Sequence, residues 1–177
     1  MASVVRVVIP DSGVLISLAK AELLDLLIVF RDNVEIVITD VVEFEVTRRL
    51  DKTDANVIRG FLTRHQARVR VEATGFAGLL AKARRSGTDD LPPDVGELSI
   101  YSFVRNMRPD PGPPTLVLFE DDFFISNAVS ARPGNIHLLS TRAFIHGLEK
   151  LAPKFPANVA LQRILKHRPT VQAAIVD

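Results

Sequence analysis

The chain has 177 residues, 47% of them hydrophobic, with 22 basic and 21 acidic side chains for a net charge of +1 and no cysteine. Lack of cysteine excludes disulfides, thiolate metal sites and cysteine nucleophiles, and no apolar run reaches about 18 residues, so no membrane span is expected. The length fits one domain, or one domain with a helical appendage, and the apolar share suffices for a sizeable core.

The chain starts a strand almost at once, with no basic leader segment and no cleavage site, so a secretory signal is not expected and a cytoplasmic location fits. No repeat appears at solenoid periods. The near-balance of charge hides segregation. Residues 1–47 carry net −5, residues 48–85 net +7, residues 86–125 net −6 and residues 126–177 net +5. A fold that gathers the acids at a centre and the bases at a rim suits a metal-dependent site for a polyanion. Solvated helix faces are the plainer explanation of the same blocks.

In chain order, Val4–Ile9 reads as a buried strand. Ser12–Ala19 and Ala21–Phe30 read as helices with apolar residues at three-to-four spacing. Val34–Ile38 is the next strand, and Asp40–Leu50 and Thr53–His65 are helices. Val69–Val71 is a short strand and Phe76–Arg85 a helix with Leu79, Leu80 and Ala83 on one side. "SGTDDLPP" is a loop by composition. Asp94–Met107 is a helix, and "RPDPGPP" breaks the chain as a loop. Thr115–Phe119 is a strand, Asp122–Ser130 a helix and Ile136–Leu139 a last strand. Thr141–Leu151 and Ala157–Lys166 are helices, followed by a loose tail. Strands alternating with helices indicate an α/β fold with a mainly parallel sheet. Such sheets place function just past the carboxyl ends of their strands.

Acids cluster at those places. Asp11 follows the first strand, where it is equally suited to cap a helix or to serve an active site. Asp40 and Glu43 have capping-box spacing and read as structural. Glu45 shares a helix face with Val41 and Val42, and an acid on an apolar stripe needs a cation or hydrogen bonds unless it reaches water at the rim. Glu97 precedes Ile100, Tyr101 and Val104 on an apolar side, and with Asp94 it also has capping-box spacing. Glu120, Asp121 and Asp122 follow a strand directly. Three adjacent acids repel one another, and a helix start or a bound divalent cation would tolerate them. Hard cations such as Mg²⁺ take oxygen ligands. Two such ions about 3.5–4 Å apart can position a water and steady the leaving oxygen of a phosphodiester. That arrangement needs neither His nor Cys.

These stretches resemble the PIN-domain family of metal-dependent ribonucleases over roughly Val4 to Leu151. "VIPDSGVLISL" looks like the family's opening strand with its first acid at Asp11, and Ser12 takes the small-hydroxyl position beside it. "VITDVVEFEV" is similar to the stretch in which a Val is followed three residues later by an acid, here Val42 and Glu45. "DVGELSIYSF" looks like the GE-containing helix start, giving Glu97 with Asp94 just before it. "LVLFEDDFF" resembles the last acidic site, mapping to Asp121 with Asp122 as neighbour. "IHLLSTRAFIHGL" looks like the closing strand and helix, where a Ser or Thr (Ser140 or Thr141) borders the site.

The resemblance implies a Rossmann-like three-layer α/β/α sandwich over residues 1–151, with residues 152–177 a helical extension of the same domain. It implies RNA cleavage with Mg²⁺ or Mn²⁺ held by Asp11, Glu45, Glu97 and Asp121, and one of these or Asp122 orienting the attacking water. Many small members are toxins paired with an antitoxin protein and form homodimers. The chain departs from relatives after "EDD", where "FFISNA" stands in place of a basic residue near Ser126. A non-catalytic PIN-like module that holds metal or RNA is the alternative. A phosphatase on a related sheet ranks lower, because the DxD pattern of an aspartyl nucleophile is missing at Asp11.

Other features carry less. The block Arg48, Arg49, Arg59, Arg64, Arg68, Arg70, Lys82, Arg84 and Arg85 can bind phosphates or simply be solvated. His65, His137, His146 and His167 have no metal-ligand spacing, and the chain has neither a dinucleotide-binding glycine motif nor a P-loop. The apolar stretches Leu23–Phe30 and Ile58–Leu62 fit a core, or a groove for a partner helix.

Overall fold

Five short runs dominated by Val, Ile and Leu form one sheet: β1 (Val7–Pro10), β2 (Glu35–Thr39), β3 (Val69–Glu72), β4 (Thr115–Phe119) and β5 (Ile136–Ser140). The computed structural model describes residues 6–29, 34–87, 91–106, 114–120, 123–124, 135–152 and 154–169. Every pairing is parallel, in the order β3-β2-β1-β4-β5. All of β1 is buried, and β2 is buried from Ile36 to Thr39. Strands buried on both faces need helices on both sides, and the chain is an α/β sandwich of three layers around the parallel sheet that its alternation of elements predicts. The edge strands β3 and β5 are buried mainly at their first residues, Val69 and Ile136.

Seven α-helices lie among the described residues: α1 (Ser12–Lys20), α2 (Asp40–Thr47), α3 (Thr53–Arg64), α4 (Ala77–Ser86), α5 (Val95–Asn106), α6 (Thr141–Leu151) and α7 (Ala157–His167). None is long and apolar enough to cross a membrane. Three of them start directly from a strand on a polar side-chain cap. Asp11 caps α1 through Val14 N, Thr39 caps α2 through Val42 N, and Ser140 caps α6 through Ala143 N. Each satisfies one of the amides that a helix start leaves unpaired.

Four local expectations change. The stretch Ala21–Phe30 is not an α-helix. Glu22 adopts φ 59°, in the left-handed region, so α1 stops, and Leu24–Ile28 forms a 3-10 turn. Its buried residues Leu24 and Leu27 are three apart, the spacing of a 3-10 helix as well as of an α-helix. Asp40 is not the cap of α2; it lies one residue inside, taking the hydroxyl of Thr74 at 2.6 Å and the amide of Val41 at 3.0 Å. Asp94 has φ 60°, not the extended backbone of an N-cap. Helix α2 ends at Thr47 rather than Leu50, which is 53% exposed and has no apolar stripe to extend. The proposed helix Asp122–Ser130, most of the loop "RPDPGPP" and the tail from residue 170 lie outside the described residues.

The main core gathers Val8, Ile9, Leu15, Leu18, Ile36, Ile38, Leu118 and Ile145 around the sheet, all fully buried. Ala157, Ala160 and Ile164 of α7 belong to the same cluster, so α7 is seated on the body and delivers Arg168, the residue after it, to a fixed place. A second, smaller cluster of Val41, Leu80 and Val95, with Phe44, Phe76, Leu79 and Leu91 against it, binds α2 to α4 and to the start of α5.

Candidate functional site

Strand order reverses at β1: the chain runs outward from it through β2 to β3, then returns to place β4 on its other side. Open α/β sheets bind ligands in the crevice beyond the strand ends at such a point. The register sets what meets there. Pro10 is level with Leu118, and Phe119 with Ser140, so the next residues, Asp11, Glu120 and Thr141, come out side by side.

Asp11 is 1% exposed. Its Oδ1 accepts the amide of Val14 at 2.7 Å and its Oδ2 the amide of Glu120 at 3.1 Å. The helix start favours its negative charge. Asp11 therefore caps α1 and at the same time ties β1 to β4. Glu120 is 9% exposed, and its carboxylate is fully engaged. Oε2 accepts the hydroxyl of Ser17 at 2.9 Å and Oε1 that of Thr141 at 3.0 Å. Arg168 Nη1, arriving from the end of α7, stands 3.2 Å from Oε2 and donates to the carbonyl of Gly13 at 3.0 Å. The charge of Glu120 is thus matched inside the fold. Removing one partner of such a pair leaves the other charge stranded. Of the two hydroxyl residues considered at the end of β5, Thr141 faces this group while Ser140 caps α6.

Glu45 meets α1 from the other side. Its carboxylate accepts the Ser12 hydroxyl and a backbone hydrogen bond from Gly96, with the charge of Arg48 nearby; burial outweighs these and holds its carboxyl above the ordinary value. The apolar face on which the sequence places Glu45 is the cause: the side chain is half-buried between α1, α2 and α5. Gly96 makes this approach possible. A Cβ there would stand 2.5 Å from Glu45 Oε2, so only glycine leaves the space. Glu97 is the next residue of α5, half-buried.

The first turn of α1 therefore has Asp11 and Glu120 on one flank and Glu45 on the other. Asp121 and Asp122 lie outside the described residues. Among the described residues, no three of His, Asp and Glu gather closely enough to hold a metal ion. The donor chemistry of Asp11, Glu45 and Glu97 fits a hard cation such as Mg²⁺ or Mn²⁺, which takes carboxylate oxygens and completes its shell with water. Glu120 does not fit, since the Arg168 guanidinium already matches its charge and two hydroxyls occupy its oxygens. Comparison with protein-family models, with curated proteins and with solved structures finds no match.

Sequence reasoning named Glu120 only as one of three adjacent acids and did not single out Ser17, Gly96 or Arg168. "GE" carries the signal for Gly96. Nothing local marks Arg168, whose partners Gly13 and Glu120 are 155 and 48 positions away.

Two outcomes follow from the setting of Glu45. Gly96→Ala should leave the fold intact, because alanine is the better helix former by about 1 kcal/mol and the group it meets is the end of a flexible side chain. It should displace the Glu45 carboxylate, seen as loss of the raised Glu45 titration by carboxyl-carbon NMR; an unchanged titration contradicts the packing. The raised carboxyl also sets a pH dependence. The folded chain holds the Glu45 proton where the unfolded chain has released it. This contribution to stability is present in acid and is lost as pH rises through the raised value. Glu45→Gln should then gain stability over the parent above that pH and not below it, measured by urea unfolding across the pH range; a constant difference contradicts the assignment.

Proposed function

We propose that the chain is a divalent-metal-dependent endoribonuclease of PIN type that hydrolyses RNA phosphodiester bonds. The observation that carries this reading is convergence. Asp11 after β1 and Glu45 of α2 flank the first turn of α1, and the Gly96 backbone at the start of α5, next to Glu97, lies against Glu45, beyond the strand ends where such sheets bind ligands.

Asp11, Glu45, Glu97 and Asp121 would hold Mg²⁺ or Mn²⁺, and one of them or Asp122 would orient the attacking water. The ion would supply positive charge against the charge that builds on the scissile phosphate. Asp11 is pre-oriented by its two backbone amides, and Glu45 by Ser12 and Gly96, so neither has to be ordered when a cation arrives. Pairing of Glu120 with Arg168 keeps a further negative charge out of the crevice. The same reading brings RNA as substrate, an antitoxin protein as partner of a toxin, a homodimer, and a cytoplasmic setting. A second reading, a PIN-like module that binds metal or RNA without turnover, is favoured by one observation: each oxygen of Asp11 already accepts a backbone amide.

Asp11→Asn and Asp121→Asn test the reading. Asparagine keeps the cap of α1, but its NH2 cannot accept the Glu120 amide as Asp11 Oδ2 does. Folding of each variant is therefore checked by circular dichroism, and Asp121→Asn carries the test if Asp11→Asn does not fold. Even residues outside the ligand shell of a metal site cost about 10–100-fold when mutated; each of these variants should lose cleavage of a single-stranded RNA by at least that factor, and Mn²⁺ binding by calorimetry with it. Full cleavage by both would sink the mechanism. Parent Mn²⁺ binding without any RNA cleavage would favour the second reading.

A further inference from the structure

Next to the acids, two arginines converge on one aromatic ring. Phe44 and Arg48 are four apart on α2, and the Arg48 guanidinium lies 5.6 Å from the Phe44 ring centroid. Arg84, from the last turn of α4, reaches the same ring, also at 5.6 Å. The two cations are thus no more than twice that distance apart. We propose that Phe44, Arg48 and Arg84 form a phosphate-binding subsite for single-stranded RNA, placed beside Glu45 so that a strand bound there runs on into the acidic crevice. This rests on the nuclease reading for its substrate.

Cation–ring attraction accounts for one guanidinium on Phe44. A second like charge on the same ring is repelled by the first, and an anion accepting from both removes that repulsion. Arginine suits phosphate because its planar fork donates two parallel hydrogen bonds. Among the described residues, Arg84, Arg85 and Lys82 of α4 have no carboxylate partner. Their place in the final turns of a helix is favourable in itself, and that suffices for Arg85. It does not explain why Arg84 turns toward Phe44 on a different helix. The platform is also fixed: Phe44 packs against Val41, Leu80 and Val95, so the ring cannot swing aside. Arg84 is exposed, open to a ligand. Glu45 follows Phe44 directly in the chain and feels the charge of Arg48, which joins the subsite to the acids. Two members of the basic block from residue 48 to residue 85, Arg48 and Arg84, then have a use at the α2–α4 contact.

The test is fluorescence anisotropy with a labelled ten-nucleotide single-stranded RNA in EDTA, where metal-dependent cleavage is silent, repeated over a series of salt concentrations. The proteins are the parent, Arg84→Gln, Arg48→Gln, the double variant, and Arg163→Gln on the exposed side of α7 as a control of equal charge change. Each phosphate contact on single-stranded nucleic acid contributes about 0.7 to the slope of log affinity against log salt. The Arg84 and Arg48 variants should each lose about that much slope and bind roughly fivefold or more weakly at low salt, with the control unchanged. Arg84 is exposed and meets the packed cluster only through the Phe44 ring, so Arg84→Gln remains informative if Arg48→Gln misfolds. Equal slopes in parent and Arg84→Gln, an equal loss in the control, or no RNA binding by the parent would overturn the subsite. Capture of an acidic peptide instead of RNA by the parent would overturn it as well. If slopes fall as expected but neither parent nor variants cleave RNA when Mn²⁺ is added, the subsite stands and the nuclease reading fails. If the parent cleaves and the double variant keeps the same KM, the reverse holds.

Discussion

One carboxylate ties the end of the β1–β4 ladder to the helix that leaves it. Asp11 sits where β1 ends and strand order reverses, and no chain connection bridges β1 and β4 there. With one oxygen it accepts from the first turn of α1; with the other it accepts from the residue just past β4. Hydrogen bonds from amides to an ionised acid are short and strong, and the helix start adds a favourable field. Everything proposed for the site is placed relative to this tie. Ser12, the next residue, reaches Glu45. Gly13, one further, lies against Glu120 with its carbonyl on Arg168. Had Asp11 only capped a helix, it would not need the amide across the crevice.

The two flanks of α1 treat their acids differently. On the β4 side, Glu120 is held by two hydroxyls and a guanidinium, which satisfy both oxygens and match the charge; that flank is finished as structure. On the α2 side, Glu45 has one hydroxyl, one amide and a nearby arginine, and burial still outweighs them, leaving its carboxyl raised. An acid kept half-buried with its charge incompletely compensated is costly, and such groups concentrate at functional sites. The asymmetry leaves the less compensated acid on the side of α1 facing α2 and α5, next to Phe44 and Arg48.

The strands and most helices were legible because their signals are local. Thr141–Leu151 is read from sequence with the bounds it has in the fold, since Ser140 caps it and Phe144, Ile145 and Leu148 repeat along one face. Glu45 was legible as an anomaly, an acid in an apolar stripe, and the structure supplies the hydrogen bonds that such a position requires. The misreadings come from choices that local chemistry leaves open. Thr39 and Asp40 both make good caps, and the end of β2 decides for Thr39. Leu24 and Leu27 repeat at a spacing shared by two helix types, and the left-handed Glu22 decides for the tighter one. Arg168 was not legible at all: its role exists only because α7 folds back onto α1, and no pattern near residue 168 reveals a partner at residue 120.

The most direct measurement is anomalous diffraction from crystals soaked in Mn²⁺. A metal site built on these acids requires a peak beyond the strand ends, about 2 Å from carboxylate oxygens of two or more of Asp11, Glu45, Glu97 and Asp121. No peak there at a Mn²⁺ concentration that supports RNA cleavage, or a peak held by other residues, would contradict it and leave Asp11 as a structural tie alone.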